Sequence, residues 1–287
     1  MPASTVTPLQ TLYCLDRRGL PLPARLARLY GNLPMPLPRS GAHVFSNFVS
    51  TLDGVVSLQV KGHSTGGDIS GFSAQDRMVM GLLRAVADAV VVGSGTLAAD
   101  PGQFWTAAAI YPELASDFER LRTAMGKRQP PLNVVVSAGG KLDLRLPVFA
   151  SGRVPVLIVT TQAGAMRLRG QKPHEWVKIR ALRSARGELA PRAILAAVAR
   201  ETPGRRILVE GGPRLLGSFF QQRLIAEQFL TLAPQLAGRE LGDGRLGLVM
   251  GEAFAPQNPR WARLTDVRRG HSHLFLRYSF ARPKIRS

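Results

Sequence analysis

Two short apolar runs, each closed by glycines, set the tightest limit on how this chain folds. Asp88-Ala89-Val90-Val91-Val92-Gly93 is almost continuously apolar and ends in the turn Gly93-Ser94-Gly95-Thr96. A run with no polar face suits a strand buried on both sides of a parallel sheet. Arg206-Ile207-Leu208-Val209 repeats the pattern, ends in Glu210, turns on Gly211 and Gly212, and opens a new segment at Pro213. Proline fits the first helical position, and Leu215, Leu216, Phe219 and Phe220 recur at helical spacing. This second stretch therefore reads as buried strand, tight turn and helix N-terminus. Such a junction aims unpaired N–H groups and the positive end of a helix dipole at the crevice, and bare glycines let a phosphate approach. Taken alone, the two glycines are better explained as a compact strand-to-helix turn.

The rest of the chain supplies mainly alternating strands and helices. Residues 1–41 are proline-rich, with one amphipathic piece from Ala24 to Tyr30, and read as an arm lying on a domain of residues 42–287. His43 to Thr51 and Val55 to Val60 are β-prone, and Asp53-Gly54 between them is a hairpin signal that explains Asp53 structurally. A glycine-rich loop, Gly62 to Gly71, precedes Ser73-Ala74-Gln75-Asp76, a variant capping box that opens a helix through about Ala87. Strands are expected at Leu132–Ser137, Val154–Thr160, Trp176–Ala181 and Gln228–Leu232, and helices at Glu113–Met125 and Pro191–Arg200. Two closing strands cover about Ala262–Arg269 and His273–Phe280. The last alternates Leu274, Leu276, Tyr278 and Phe280 on one face, and both read as edge strands that need covering. The pattern specifies one α/β domain with a mixed, mainly parallel sheet flanked by helices.

Composition narrows the function classes. At 287 residues the chain can bury a substantial core, and no apolar run reaches the roughly 20 residues of a membrane span. No basic-then-apolar leader opens the sequence, and a single cysteine, Cys14, excludes an intrachain disulfide. Both features fit a cytoplasmic location. The net charge of +19 admits a nucleic acid, an anionic small substrate or an arginine-rich surface. The arginines are dispersed, and pairs such as Arg17-Arg18 and Arg268-Arg269 carry no interleaved aromatics, which argues against nucleic acid. His271 and His273 are spaced for one strand face but have no third metal ligand nearby.

Glycine turns at the ends of two buried strands favour a phosphate-bearing cofactor, since ligands of open α/β sheets bind at strand carboxyl ends. Neither turn matches G-x-G-x-x-G. The features in their order resemble a known family, the pyrimidine reductases of riboflavin biosynthesis, which have a dihydrofolate reductase-like fold. The matching residues are Thr51-Leu52-Asp53-Gly54, Ser73 to Arg77, Leu83 to Ala89, Gly93-Ser94-Gly95-Thr96 with Asp100, Glu210-Gly211-Gly212, and Ala233-Pro234 with Gly238. The resemblance implies NADPH as cofactor, contacted by Thr96, Asp100, Ser137, Gly211, Gly212, Pro213, Arg214, Leu215, Leu216, Gly217 and Ser218. It implies Asp53 and Glu210 as catalytic groups that move a proton or hold the aminopyrimidine, with Asn47 and Arg84 on the substrate side.

The same resemblance implies reduction of the ribosyl group of an aminouracil phosphate, and a homodimer. Two departures stand out. Asn47 replaces a lysine carried by many members, and Gly102-Gln103-Phe104-Trp105 lacks the arginine expected to hold the substrate phosphate. The deaminase partner motif is also missing from the chain. A related pteridine or pyrimidine, such as dihydrofolate, is the alternative substrate. A basic nucleic-acid-binding protein is the alternative of another class.

Overall fold

Ten strands among the described residues join one sheet, with the two apolar runs side by side near its middle. The computed structural model describes residues 6–16, 18–36, 40–60, 66–185, 187–242 and 244–280. The chain begins with β1 (Gln10–Cys14), α1 (Ala24–Tyr30), β2 (His43–Ser50), β3 (Val55–Ser57), α2 (Gly66–Ser70) and α3 (Ala74–Val86). Next come β4 (Ala89–Gly93), α4 (Ser94–Ala99), α5 (Ala107–Ile110), α6 (Ala115–Ala124), β5 (Leu132–Val136) and α7 (Pro147–Ala150). They are followed by β6 (Val156–Thr161), α8 (Gln162–Arg169), β7 (Val177–Leu182), β8 (Ser184–Ala185), β9 (Glu188–Leu189) and α9 (Pro191–Glu201). The last elements are β10 (Arg206–Val209), α10 (Pro213–Gln221), β11 (Glu227–Leu232), β12 (Leu246–Gly247), β13 (Ala262–Gly270) and β14 (His273–Phe280).

The sheet order is β1-β13-β14-β11-β2-β10-β4-β5-β6-β7. From β11 to β7 every neighbouring pair is parallel, and the three pairs at the β1 end are antiparallel. Strand β10 comes late in the chain yet inserts between β2 and β4. The order of the sheet therefore reverses there, and a crevice opens at such a point.

Both faces of the central strands are covered, which is why β4 needs no polar side. Val90 and Val92 pack into a core with Leu26, Met78, Leu82 and Phe118, while Ala89 and Val91 join Ile194, Val198, Leu216 and Phe219 on the other face. Each such side chain contributes about 1.5–3 kcal/mol on burial.

Four expectations are corrected. Asp53-Gly54 makes a turn, with Gly54 at φ 82° and its N–H donating to Thr51 O at 3.0 Å, but β2 and β3 form no hairpin. Both edges of β2 are taken by β10 and β11, so β3 pairs instead with β12. The closing strands β13 and β14 are internal; the edge is β1, from the segment read as an arm. Residues 61–65 of the glycine-rich loop lie outside the described residues, and residues 66–70 form α2. Finally, His271 occupies a turn at φ 53°, and His273 Nε2 lies 2.9 Å from Ser70 O, so the two do not share a strand face.

Candidate active site

The carboxyl end of β10, the middle of β2 and helix α3 bring three predicted residues together. Val209 pairs with Ser46, so Glu210, the next residue, comes level with Asn47 on β2. Arg84 reaches the same point from α3, and its Nε donates to Glu210 Oε2 at 2.8 Å. Its Nη1 is held by the carbonyls of Phe104 and Thr106, each at 3.4 Å. Both side chains are deeply buried, 2% and 3% exposed, so the pair cannot rely on water. Glu210 Oε1 is also buried and makes no hydrogen bond of good geometry, although the Asn47 side chain lies within reach of the carboxylate. An unpaired buried oxygen costs about 1–3 kcal/mol, which is unusual outside a functional site. Burial pushes the Glu210 carboxyl above its ordinary range; Arg84 opposes the rise, the charge of Asp76 adds to it, and Asn47 faces the same carboxylate.

Asp76 is the residue that sequence reasoning missed. Its spacing from Ser73 signals a capping box, and half of that box forms, with Asp76 N donating to Ser73 Oγ at 3.3 Å. The reciprocal half does not, because Ser73 N donates to Ser70 O. The Asp76 side chain turns inward instead, buried against the hydroxyls of Thr231 and Ser70.

The two glycine turns abut directly. Gly93 N donates to Gly211 O at 2.9 Å, and Glu210 N donates to Val91 O at 3.1 Å. A Cβ on Gly211 would lie 2.3 Å from Thr96 Oγ1, so only glycine allows this approach. A Cβ on Gly95 would meet nothing within 4 Å, which leaves open space at the start of α4. Gly212 is the N-cap of α10, Pro213 its first residue, and Arg214 is exposed on the first turn. The glycine-lined gap and the helix N-terminus fit the diphosphate of a nicotinamide cofactor.

Beyond that first turn, α10 offers less than the sequence implied. Leu216 is buried in the core, and a Cβ on Gly217 would lie 2.6 Å from Met250 O. Ser218 Oγ donates along the helix to Leu215 O at 2.9 Å. Ser137 sits buried just past β5, and Asp100 caps the C-terminus of α4.

Asp53 stands apart from the Glu210 cluster. Its carboxylate accepts from Thr51 Oγ1 at 2.6 Å, Ala237 N at 3.1 Å and Gly238 N at 2.9 Å. These bonds, led by that of Thr51, lower its pKa to about 2. Among the described residues no group of three or more His, Cys, Asp or Glu side chains could hold a metal ion, and no helix is long and apolar enough to cross a membrane.

The chain is 28% identical over 196 residues to a 2,5-diamino-6-ribosylamino-4(3H)-pyrimidinone 5′-phosphate reductase of Archaeoglobus fulgidus, covering 68% of this chain and 82% of that protein. It is 28% identical over 186 residues to the riboflavin biosynthesis protein RibD of Chlamydia trachomatis, covering 61% of this chain and 44% of that one. A pyrimidine reductase-like protein of Corynebacterium diphtheriae superposes with a TM-score of 0.69 at 17% identity, covering 90% of this chain and 98% of that one. RibD of Acinetobacter baumannii gives a TM-score of 0.63 at 18% identity, over 84% of this chain and 59% of that one. These structures share the α/β fold expected from the sequence. A family model described as the RibD C-terminal domain matches residues 42–264, and the chain belongs to that family.

Proposed function

We propose that the chain is an NADPH-dependent reductase acting on a pyrimidine ribosylamine phosphate, a step of riboflavin biosynthesis. The observation that carries the reading is the Glu210 carboxyl, buried beside the glycine turns, with Oε2 tied to Arg84 and the Asn47 side chain alongside the carboxyl. A ribosylamine in its open imine form needs a hydride at carbon and a proton at nitrogen to become an amine. The nicotinamide, when bound, supplies the hydride. Glu210 holds the proton on Oε1, Arg84 fixes the carboxyl, and Asn47 presents an amide to the pyrimidine.

Thr96, Asp100, Ser137 and the turn from Gly211 to Leu215 hold the cofactor, while Leu216, Gly217 and Ser218, packed inward or bonded along the helix, only position that turn. Asp53, saturated by its own loop and strongly acidic, anchors residues 237–238 and does not donate the proton. The archaeal relative's name makes the diamino pyrimidinone a substrate to test beside the aminouracil. The reductase domain is residues 42–287, in a cytoplasmic setting. We read a homodimer as well, since Leu230, Leu232, Leu274, Leu276 and Tyr278 form a half-exposed apolar sheet face.

The test is NADPH oxidation against both ribosyl phosphates and dihydrofolate. Turnover of either ribosyl phosphate is expected. Turnover of dihydrofolate alone would overturn the substrate assignment, and absence of any NADPH or NADH binding would overturn the reductase reading.

A further inference from the structure

Strand β5 breaks the rule that governs its neighbours. It lies between β4 and β6, and Leu132, Val134 and Val135 are buried on the two faces of the sheet as that place requires. Asn133 stands among them, fully buried. A buried amide is costly unless its hydrogen bonds to water are replaced. Asn133 replaces them chiefly on one short segment. Its Oδ1 accepts from Trp105 N at 2.9 Å, while its Nδ2 donates to Pro131 O at 2.9 Å and lies 3.5 Å from Trp105 O. The Trp105 side chain is itself buried, in the same core as Met78 and Leu82 of α3. The residues on either side of Trp105 are the ones that hold Arg84, whose Nη1 donates to the carbonyls of Phe104 and Thr106, each at 3.4 Å. Arg84 Nε in turn donates to Glu210 Oε2 at 2.8 Å. A run of hydrogen bonds thus leads from β5 through residues 104–106 and α3 to the carboxyl just past β10.

We propose that Asn133 is a positioning residue: by fixing the backbone of Trp105 it sets the two carbonyls that aim Arg84 at Glu210. The other holds on this segment act elsewhere along it. Gln103 N donates to Asp100 O at 3.3 Å, the Arg153 guanidinium lies 5.8 Å from the centre of the Phe104 ring, and Thr106 Oγ1 is taken up by Ala109 N in capping α5. None of these three touches the peptide groups of Trp105. The direction of a long arginine side chain depends on what its fork of donors meets. Arg84 is 2% exposed, so water cannot make good a misplaced carbonyl. A valine at 133 would suit both the strand and the core, so the amide is explained by the bonds it makes rather than by its packing. The same reading gives Gly102-Gln103-Phe104-Trp105 a use. Lacking an arginine of its own, the segment seats with its carbonyls an arginine supplied by α3. Asn133 therefore acts through Arg84 and does not touch the substrate.

The proposal rests on Arg84 and Glu210 working at the reacting end, as inferred above, but its first readout needs no substrate. The Arg84 Nε–H resonance is identified by NMR as the guanidinium signal lost in Arg84→Lys, and its hydrogen exchange is measured in the free protein beside global stability. In Asn133→Val, Arg84 Nε–H is expected to exchange at least about tenfold faster than the loss of global stability accounts for. Single-turnover hydride transfer should fall about ten- to a hundredfold in the same variant, with NADPH affinity unchanged. Asn133→Asp keeps an acceptor for Trp105 N and is expected to recover most of both. If Asn133→Val fails to fold, the native chain decides. There Trp105 N–H and Arg84 Nε–H should open together, with one free energy and one denaturant dependence. A merely structural Asn133 would destabilise the fold while Arg84 exchange followed the global loss. That result, independent opening of the two groups in the native chain, or unchanged hydride transfer in Asn133→Val overturns the proposal while leaving the reductase reading in place. Absence of NADPH and NADH binding by the native chain would overturn that reading itself.

Discussion

Two buried Glu–Arg pairs lie on either side of β2, and they are built to opposite ends. Glu227 of β11 has both oxygens within 2.8 Å of Arg277 Nη2, and His43 Nε2 lies 3.2 Å from Oε2. Burial alone would push that carboxyl up, but the His43 bond and the Arg277 charge outweigh it and hold it below its ordinary range. Glu210, just past β10, has one oxygen on Arg84, Asn47 in place of a second cation or histidine, and a pKa raised chiefly by burial. The first is an anion with both oxygens taken by Arg277 and His43, and it locks strands together. The second has one arginine and an amide beside it, at the carboxyl end of a parallel strand. Burial and an arginine partner are common to both pairs; the opposite pKa shifts set them apart.

Exchanging each glutamate for glutamine breaks the comparison most directly. Glu210→Gln removes the transferable proton and is expected to slow hydride transfer by about 10²–10⁴-fold, read by single-turnover NADPH fluorescence, with NADPH affinity little changed. Glu227→Gln leaves Arg277 uncompensated in the interior and is expected to cost about 3–5 kcal/mol in denaturant unfolding. The folded fraction of that variant should keep its rate. If the glutamine at 227 slowed chemistry and the one at 210 only destabilised, the roles assigned to the two pairs would be reversed.

A smaller effect is expected at the glycine turns. Thr96→Val removes the hydroxyl packed on Gly211 and should weaken NADPH about tenfold, roughly 1.4 kcal/mol, by fluorescence titration. Unchanged affinity would remove Thr96 from the cofactor site. The smallest effect is that of Asp53→Asn. The folded-state pKa of Asp53 is depressed, so its contribution to stability is present above the unfolded value near 4 and is lost as pH falls through about 2. The variant should lose that part of the acid destabilisation while retaining more activity at neutral pH than Glu210→Gln.

Much of this was legible in the sequence where one physical requirement dominated. The unbroken apolar run at Ala89–Val92 announced a strand covered on both faces, and the glycines after Val209 announced a compact strand-to-helix turn, where Gly211 packs against Thr96. The pattern misled where charges go inside. Leu274, Leu276 and Tyr278 look like the buried face of β14, yet Phe275 and Arg277 are the buried residues. Arg277 is admitted by Glu227, just as Arg268 is admitted by Asp266, so hydropathy points to the wrong face. Strand β1 is mostly exposed and shows no alternation, which hides it inside an apparent arm. Asp76 was concealed by a second explanation, since the spacing that makes a helix cap also places a carboxyl on the first turn of α3. Asp53 has a side chain that the turn signal explains only in part, since its carboxylate also accepts from Ala237 N and Gly238 N across the fold.

The most direct test of the central claim is the pH dependence of single-turnover hydride transfer from NADPH to the best ribosyl phosphate substrate, compared between the native chain and Glu210→Gln. A raised carboxyl pKa means that the active, protonated form is fully present at low pH and is lost as pH rises through the folded-state value. The account predicts a plateau on the acid side, an alkaline fall governed by Glu210, and a slow profile without that limb in the glutamine variant. The same alkaline fall at an undiminished rate in Glu210→Gln would contradict it.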